Sequence, residues 1–323
     1  MRIKEFSDRM NSLAAARTPF LFMVDFEMLQ SEVFPLHELD PAVVLYEVNG
    51  RTNASPVPPS LLELSLNTKP IPRDVYDHKY QKVYDHLTYG DSYLTNLTVK
   101  TEITMSASLR ELFYASRARY KLLYKDSFLV FSPEIFVQVV NGEIRSYPMK
   151  GTIDASIPNA AEIILNDEKE LAEHVTIVDL IRNDLSNVAE HVEVERFRYI
   201  EKITSVDREL LQVSSSIRGT VTDPYLNRPG DLLVALLPAG SVSGAPKKKT
   251  TEIIAESEGE PRGYYSGVFG IYDGESLDSG VMIRFIEHHE GRYFYRSGGG
   301  ITTQSIMHKE YQEVIDKIYV PVS

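Results

Sequence analysis

The chain has 323 residues, 43% of them hydrophobic and 25% charged, with a net charge of −12 and no cysteine. This balance describes a globular chain with core material for one large domain or two smaller ones. It excludes disulfides, thiolate metal sites and a cysteine nucleophile, and it argues against a nucleic-acid footprint, which needs a basic stripe.

The opening "MRIKEFSDRM" carries acids and no apolar core, so no signal peptide is read there. The first 75 residues mix short apolar runs with a Pro-rich loop, "ASPVPPS", at 54–60. "DVYDHKYQKVYDHLTYGD" has apolar and aromatic residues at helical spacing and ends at Gly90. "SYLTNLTVKTEI" reads as a strand and "SLRELFYASRARY" as a helix. Strands joined by an Asn-Gly turn follow in "KLLYKDSFLVFSPEIFVQVVNGEIRSYPMKGT". "NDEKELAEHVTIVDLIRNDLSNV" is the clearest helix, with Leu171, Val175, Val178, Ile181 and Leu185 as its apolar stripe. The longest apolar run, "LLVALLPA" at 232–239, is too short to span a bilayer, so no membrane partner is expected and the cytoplasm is the expected compartment. "YYSGVFGIYDGESLDSGVMIRFIEHHEGRYFYRSGGGI" gives three strands, and "HKEYQEVIDKIY" a closing helix. Hairpin-linked strands with helices between groups predict an α+β fold with mostly antiparallel sheet.

Four segments can carry chemistry. Glu134 follows a proline at a strand break, where it is either an exposed loop carboxylate or a general acid–base held by rigid backbone. Lys150 follows a strand and precedes Gly-Thr, as a surface lysine or as a side chain aimed into a site. Glu170 and Glu173, and again Glu310 and Glu313, stand three apart on helices. Solvent and lysines can relieve that like charge, or a hard divalent cation can. The small-residue loop "LLPAGSVSGAPKKKTTEII" puts Pro246 at the start of a helix whose free N–H groups suit an anion, although it is no Walker A loop. Arg284 lies in an apolar strand and needs a salt bridge or a ligand carboxylate. Gly298, Gly299 and Gly300 leave backbone N–H groups open to close approach.

Taken together, "SPEIF", "PMKGT", "ELAEHVTIVDLIRNDL", "SIRGTV", "LPAGSVSGAPKKKTTEII", "YYSGVFGIYDG", "VMIRF", "GGGI" and "EYQEVIDK" resemble the chorismate-utilising enzyme family in order and approximate spacing. The resemblance covers residues 76–318. It implies a large single-domain α/β sandwich with mostly antiparallel sheets, outer helices and a Mg²⁺-dependent cleft. The catalytic domain would occupy 76–323, with 1–75 an abbreviated N-terminal segment packed on the same fold.

The resemblance also implies roles. Glu134 matches the carboxylate that protonates the leaving hydroxyl at ring carbon 4. Glu173, Glu310 and Glu313 match the acids around Mg²⁺. Tyr265, Arg284 and Gly298 match the cradle for the enolpyruvyl carboxylate. Ser241, Gly244 and Lys247 fall in the loop bordering the ring carboxylate, and Thr152 in the motif after Lys150.

Most members have alanine where this chain has Lys150. The lysine resembles the aminodeoxychorismate synthase branch, where it is the nucleophile at ring carbon 2 and must be neutral, so a lowered pKa is expected. Alanine there would favour the anthranilate course. Leu94 replaces the water-activating lysine of isochorismate synthases and cannot act as a base. Gln212 replaces a frequent histidine and cannot transfer a proton near neutral pH. A non-catalytic chorismate-binding protein is the competing class, separated by a test of chorismate consumption. The short N-terminal part implies no tryptophan regulation. Without cysteine, the chain would take free ammonia or work with a separate glutamine amidotransferase subunit, towards 4-aminobenzoate and folate.

Overall fold

The computed structural model describes residues 1–56, 64–204 and 209–321. From Val57 on, the expected Pro-rich loop lies outside the described residues. The chain builds two sheets and crosses between them repeatedly. β1 (Phe20–Val24) and β2 (Ser31–Pro35) begin the first sheet. The second takes β3 (Val44–Val48), β4 (Arg51–Thr52), β5 (Leu66–Lys69), β6 (Leu94–Met105), β7 (Tyr120–Tyr124) and β8 (Phe128–Ser132). The chain then returns to the first for β9 (Ile135–Val140), β10 (Glu143–Ser146), β11 (Met149–Asp154), β12 (Ala189–Thr204) and β13 (Glu209–Val221). β14 (Gly244–Ala245) belongs to the second sheet, β15 (Val268–Tyr272) and β16 (Leu277–Val281) to the first, and β17 (Phe285–His289) and β18 (Arg292–Ile301) to the second. Among the described residues every strand pairing is antiparallel. The expected α+β sandwich of antiparallel sheets with outer helices is therefore the architecture observed.

Alternation along the strands explains the layering. On β1, Leu21 and Met23 pack with Tyr46, Leu122, Val130 and Phe285 of the second sheet, while Phe20, Phe22 and Val24 face the helices outside. Those helices are α1 (Ile3–Ala15), α5 (Glu168–Leu185) and α6 (Pro229–Leu236), through Phe6, Met10, Val178, Ile181, Leu185 and Leu233. α4 (Ala160–Asn166) runs up to α5. On the far side of the second sheet, α2 (Arg73–Tyr89), α7 (Lys247–Glu258) and α8 (Met307–Asp316) close over Leu97 and Val99, and α3 (Leu109–Ala115) over Ile103 and Phe131.

The local patterns show why these elements form. α2 buries Tyr76, Tyr80, Val83 and Leu87 on one face and ends at Gly90 in the left-handed region. Asp167 caps α5 by accepting from the Glu170 amide at 2.9 Å. Asn141 and Gly142, both at positive φ, turn β9 into β10 as the Asn-Gly pair predicts.

Four expectations change. α3 stops at Ala115, because Ser116 is extended and Tyr120 already pairs in β7. Leu171 and Val175 are exposed, so the buried stripe of α5 begins at Val178, with His174 buried before it. Pro246 caps α7 from outside the helix. The C-terminal strand run contains four strands, because the ladder breaks at Met282–Arg284 where the chain changes sheets.

One buried ion pair ties several layers together. Arg262 and Glu258, at 1% and 2% side-chain exposure, are 2.6 Å apart. Glu258 also accepts from the Thr98 amide and hydroxyl of β6, and Arg262 donates to the carbonyls of Val242 and Asn96. Removing one partner leaves a buried charge uncompensated. Arg262→Met should therefore lose about 3–5 kcal/mol of stability, read as a fall in the urea midpoint. A loss below about 1 kcal/mol would mean the pair is dispensable.

Candidate active site

A cleft opens along the seam between the sheets. One lobe, about 290 Å³, is bordered by Glu134, Lys150, Glu173, Ser241 and Leu94. The adjoining lobe, about 170 Å³, shares Glu134, Lys150 and Ser241 and adds Tyr265, Arg284, Gly298 and Lys317. Residues 134, 150, 173, 241, 265, 284 and 298, widely spread in sequence, thus border one connected space.

Glu134 stands at the crossing from β8 to β9. Its Oε1 accepts from the Ser241 hydroxyl. Burial pushes its carboxyl above the usual range, against the smaller lowering effects of Ser241 and Lys317. A carboxyl raised in this way and bordering a cleft is a candidate general acid.

Lys150 lies on β11, where the register with β13 shifts between Met149 and Thr152. β11 is separated from β9 by β13 and β10, so Lys150 and Glu134 are brought together not by neighbouring strands but as borders of one cleft. The expected lowering of the Lys150 pKa is also not found. Burial acts to lower it, but the Glu173 carboxylate at 2.6 Å, with Glu313 and Glu170 behind it, holds the ammonium above its ordinary value.

Of the acids of α5 and α8, Glu173 borders the cleft, and the carboxylates of Glu310 and Glu313 lie behind Gly299 on its wall. Among the described residues, no group of three His, Asp or Glu side chains is drawn together at metal-ligand spacing. Glu173 is tied to Lys150 and, at 3.4 Å, to Lys169, and Glu313 to Lys317 at 2.7 Å. Burial acts to raise the Glu313 carboxyl, yet Lys317 holds it below the usual range. Glu310 differs. It is buried, has no lysine or arginine at ion-pair distance among the described residues, and is pushed up by burial and then by Glu313. Three hard oxygen donors, one of them buried without a cation, fit the chemistry of a hard divalent ion.

Arg284 is not inside a strand. It occupies the crossing from β16 to β17 with φ 53°, donates to the Lys317 carbonyl at 2.9 Å and lies 4.4 Å over the Tyr319 ring. Among the described residues it has no carboxylate partner, so the salt-bridge alternative is not what the structure shows. Tyr265 is buried and its hydroxyl is pushed up to about 12, chiefly by burial. The three glycines sit inside the β6–β18 ladder. A Cβ on Gly298 would come 2.4 Å from the Leu97 carbonyl, so close strand packing demands glycine there.

Three expected residues are elsewhere. Lys247 turns away to Asp184 at 2.9 Å and to the Leu236 carbonyl. Gly244 pairs with Thr95, where a Cβ would collide with the Leu94 carbonyl, so its role is packing. Thr152 is exposed, opposite Gln212 on β13, and neither borders the cleft. Two cations escaped the sequence reading. Lys317 follows Glu313 by four residues, a helical spacing visible in "EYQEVIDK". Arg296 stands two residues before Gly298 on β18 and reaches the same lobe.

Comparison with known proteins gives the family. The chain is 46% identical over 325 residues to an uncharacterised PabA-like protein of Pasteurella multocida, covering all of both chains. It is 32% identical over 262 residues to aminodeoxychorismate synthase component 1 of Escherichia coli, covering 76% of this chain and 56% of that one. The chain thus spans about half the length of that enzyme. Its fold is similar to the menaquinone-specific isochorismate synthase MenF of Escherichia coli, with a TM-score of 0.72 over 97% of this chain and 80% of that one, at 16% identity. With residues 35–323 matching the chorismate binding enzyme family, the chain belongs to that family.

Proposed function

We propose that this protein is the chorismate-converting component of an aminodeoxychorismate synthase, forming 4-amino-4-deoxychorismate and water from chorismate and ammonia. The observation that carries the reading is that Lys150 and Glu134 both border the two adjoining lobes of one cleft. The Lys150 amine, once neutral, attacks ring carbon 2 while both ring double bonds shift towards carbon 4. The carbon-4 hydroxyl leaves as water with the Glu134 proton. Ammonia then attacks carbon 4, both double bonds shift back, the bond to Lys150 breaks to release its neutral amine, and Glu134 recovers a proton from the new ammonium. The nucleophile occupies carbon 2 and so directs nitrogen to carbon 4.

Ser241 holds the Glu134 carboxyl, and Arg284, Tyr265 and Lys317 receive the enolpyruvyl carboxylate in the cationic lobe. Mg²⁺ would be held by Glu173, Glu310 and Glu313 and would supply positive charge for the ring carboxylate. These 323 residues hold no cysteine, so glutamine-derived ammonia would need a separate amidotransferase subunit. The cytoplasm is the compartment that fits this reading.

The direct test is incubation with chorismate, Mg²⁺ and ammonium, followed by aminodeoxychorismate lyase. The expected product is 4-aminobenzoate. Fluorescent anthranilate in its place, or no consumption of chorismate, would overturn the assignment.

Two variants test the roles. Lys150→Ala should lose several orders of magnitude in aminodeoxychorismate formation, measured by the same coupled assay, and the vacated space should admit a trace of amination at carbon 2. An undiminished rate removes the nucleophile. Ser241→Ala removes a hydrogen bond that favours the ionised Glu134 and so lowers its pKa. Its loss pushes that pKa further up. A general acid works only while protonated, so activity persists to higher pH. The alkaline limb of kcat/KM should therefore move to higher pH. An unmoved limb excludes Glu134 as the acid.

A further inference from the structure

We propose that Arg296 is a second guanidinium of the cleft's anion-binding end and that, with Arg284, it selects ligands carrying a side-chain carboxylate. This rests on the chorismate reading above and adds a recognition residue to it. Arg296 is 5% exposed, yet its side chain borders the lobe shared by Arg284, Tyr265 and Lys317. On the sheet it is directly opposite Phe285, the residue after Arg284. One guanidinium therefore comes from the residue just before β17 and the other from the strand beside it, β18. Both act on the same point: each favours the ionised form of the Tyr265 hydroxyl.

The bland alternative is a structural ion pair, and the distances speak against a tight one. Arg296 donates to Glu287 at 3.3 Å and to Glu260 at 3.4 Å. Glu287 is held more closely by Lys100, at 2.5 Å. The Glu260 side chain is 46% exposed. A buried guanidinium has five N–H donors in a rigid fork, and loose contacts of this kind leave donors for a ligand. Arg284 has already committed one nitrogen to the Lys317 carbonyl and one face to Tyr319, which fixes its plane. A carboxylate offers about four acceptor sites. A second fork from β18 can satisfy those that Arg284 leaves open.

The test is calorimetric binding in Mg²⁺ with two probes. One is chorismate. The other is its ring diol, trans-3,4-dihydroxycyclohexa-1,5-diene carboxylate, which lacks the enolpyruvyl group. Arg296→Gln should weaken chorismate about tenfold to a hundredfold, the range for a hydrogen bond to a charged group, and leave the ring diol within about twofold. Arg296→Lys keeps the charge without the fork and should fall between; if Arg296→Gln does not fold, it carries the test alone. Unchanged chorismate binding with a lowered melting temperature, or equal weakening of both probes, overturns the inference and leaves the functional reading intact. Failure of the wild type to bind chorismate overturns both.

Discussion

The site depends on a backbone constraint: two adjacent strand pairs leave one sheet for the other side by side. β8 pairs with β17 in the second sheet, and β9 pairs with β16 in the first. Where both chains cross, their ladders must break, and broken ladders leave buried polar groups. Here the crossings satisfy one another. The Phe131 amide donates to the Arg284 carbonyl, and the Val281 amide donates to the Glu134 carbonyl, each at 3.1 Å. The fit leaves no room at Gly280, where a Cβ would come 2.8 Å from the Tyr120 ring and 3.2 Å from the Glu134 carbonyl. With their backbones engaged, the side chains of Glu134 and Arg284 remain for the cleft. The candidate acid and the candidate carboxylate clamp are thus products of one topological event.

The cleft then sorts charge in a chain that is acidic throughout. The lobe around Tyr265 gathers Lys150, Arg284, Arg296 and Lys317 against Glu134 alone. Glu173 of α5 borders the other lobe, while Glu313 of α8 pairs with Lys317 beside the first. Surface charge is screened within about 10 Å at ordinary salt, whereas charges in a cleft are screened much less. The net −12 therefore says little about what this site attracts. The lysine–glutamate pairs between the ends act as neutralising contacts, and Glu310 is left with none at ion-pair distance among the described residues.

What the sequence revealed was local. The end of α2 at Gly90 and the Asn141-Gly142 turn each depend on a few neighbouring residues, and both are found. The residues bordering the cleft were legible only through motifs, since nothing in their spacing brings position 134 near 241. What stayed hidden needed partners distant in the chain. Lys247 looked like part of an anion loop, but its partner Asp184 lies on another helix. Arg284 read as part of a strand because its neighbours are apolar; a change of sheet leaves no such mark. Leu171 and Val175 fit a helical stripe that extends past the core, because the first half of α5 borders the cleft with Ala172, Glu173 and Thr176.

The same reasoning explains why a lysine at 150 is followed by glycine. Gly151 has φ 86°, and a Cβ there would come 2.9 Å from a Glu170 oxygen that is itself buried without a hydrogen-bond partner. A side chain at 151 would meet both backbone strain and a carboxylate. The glycine lets β11 break register with β13, and a bulge of this kind re-aims the neighbouring side chain. Lys150 is thereby turned towards Glu173 and the cleft. Its amine is held from two directions, by the strand's irregularity and by the α5 carboxylate, and a surface lysine needs neither. The Pro-x-Lys-Gly-Thr segment is thus a positioning device, and its form is set by packing against α5 as much as by chemistry in the cleft.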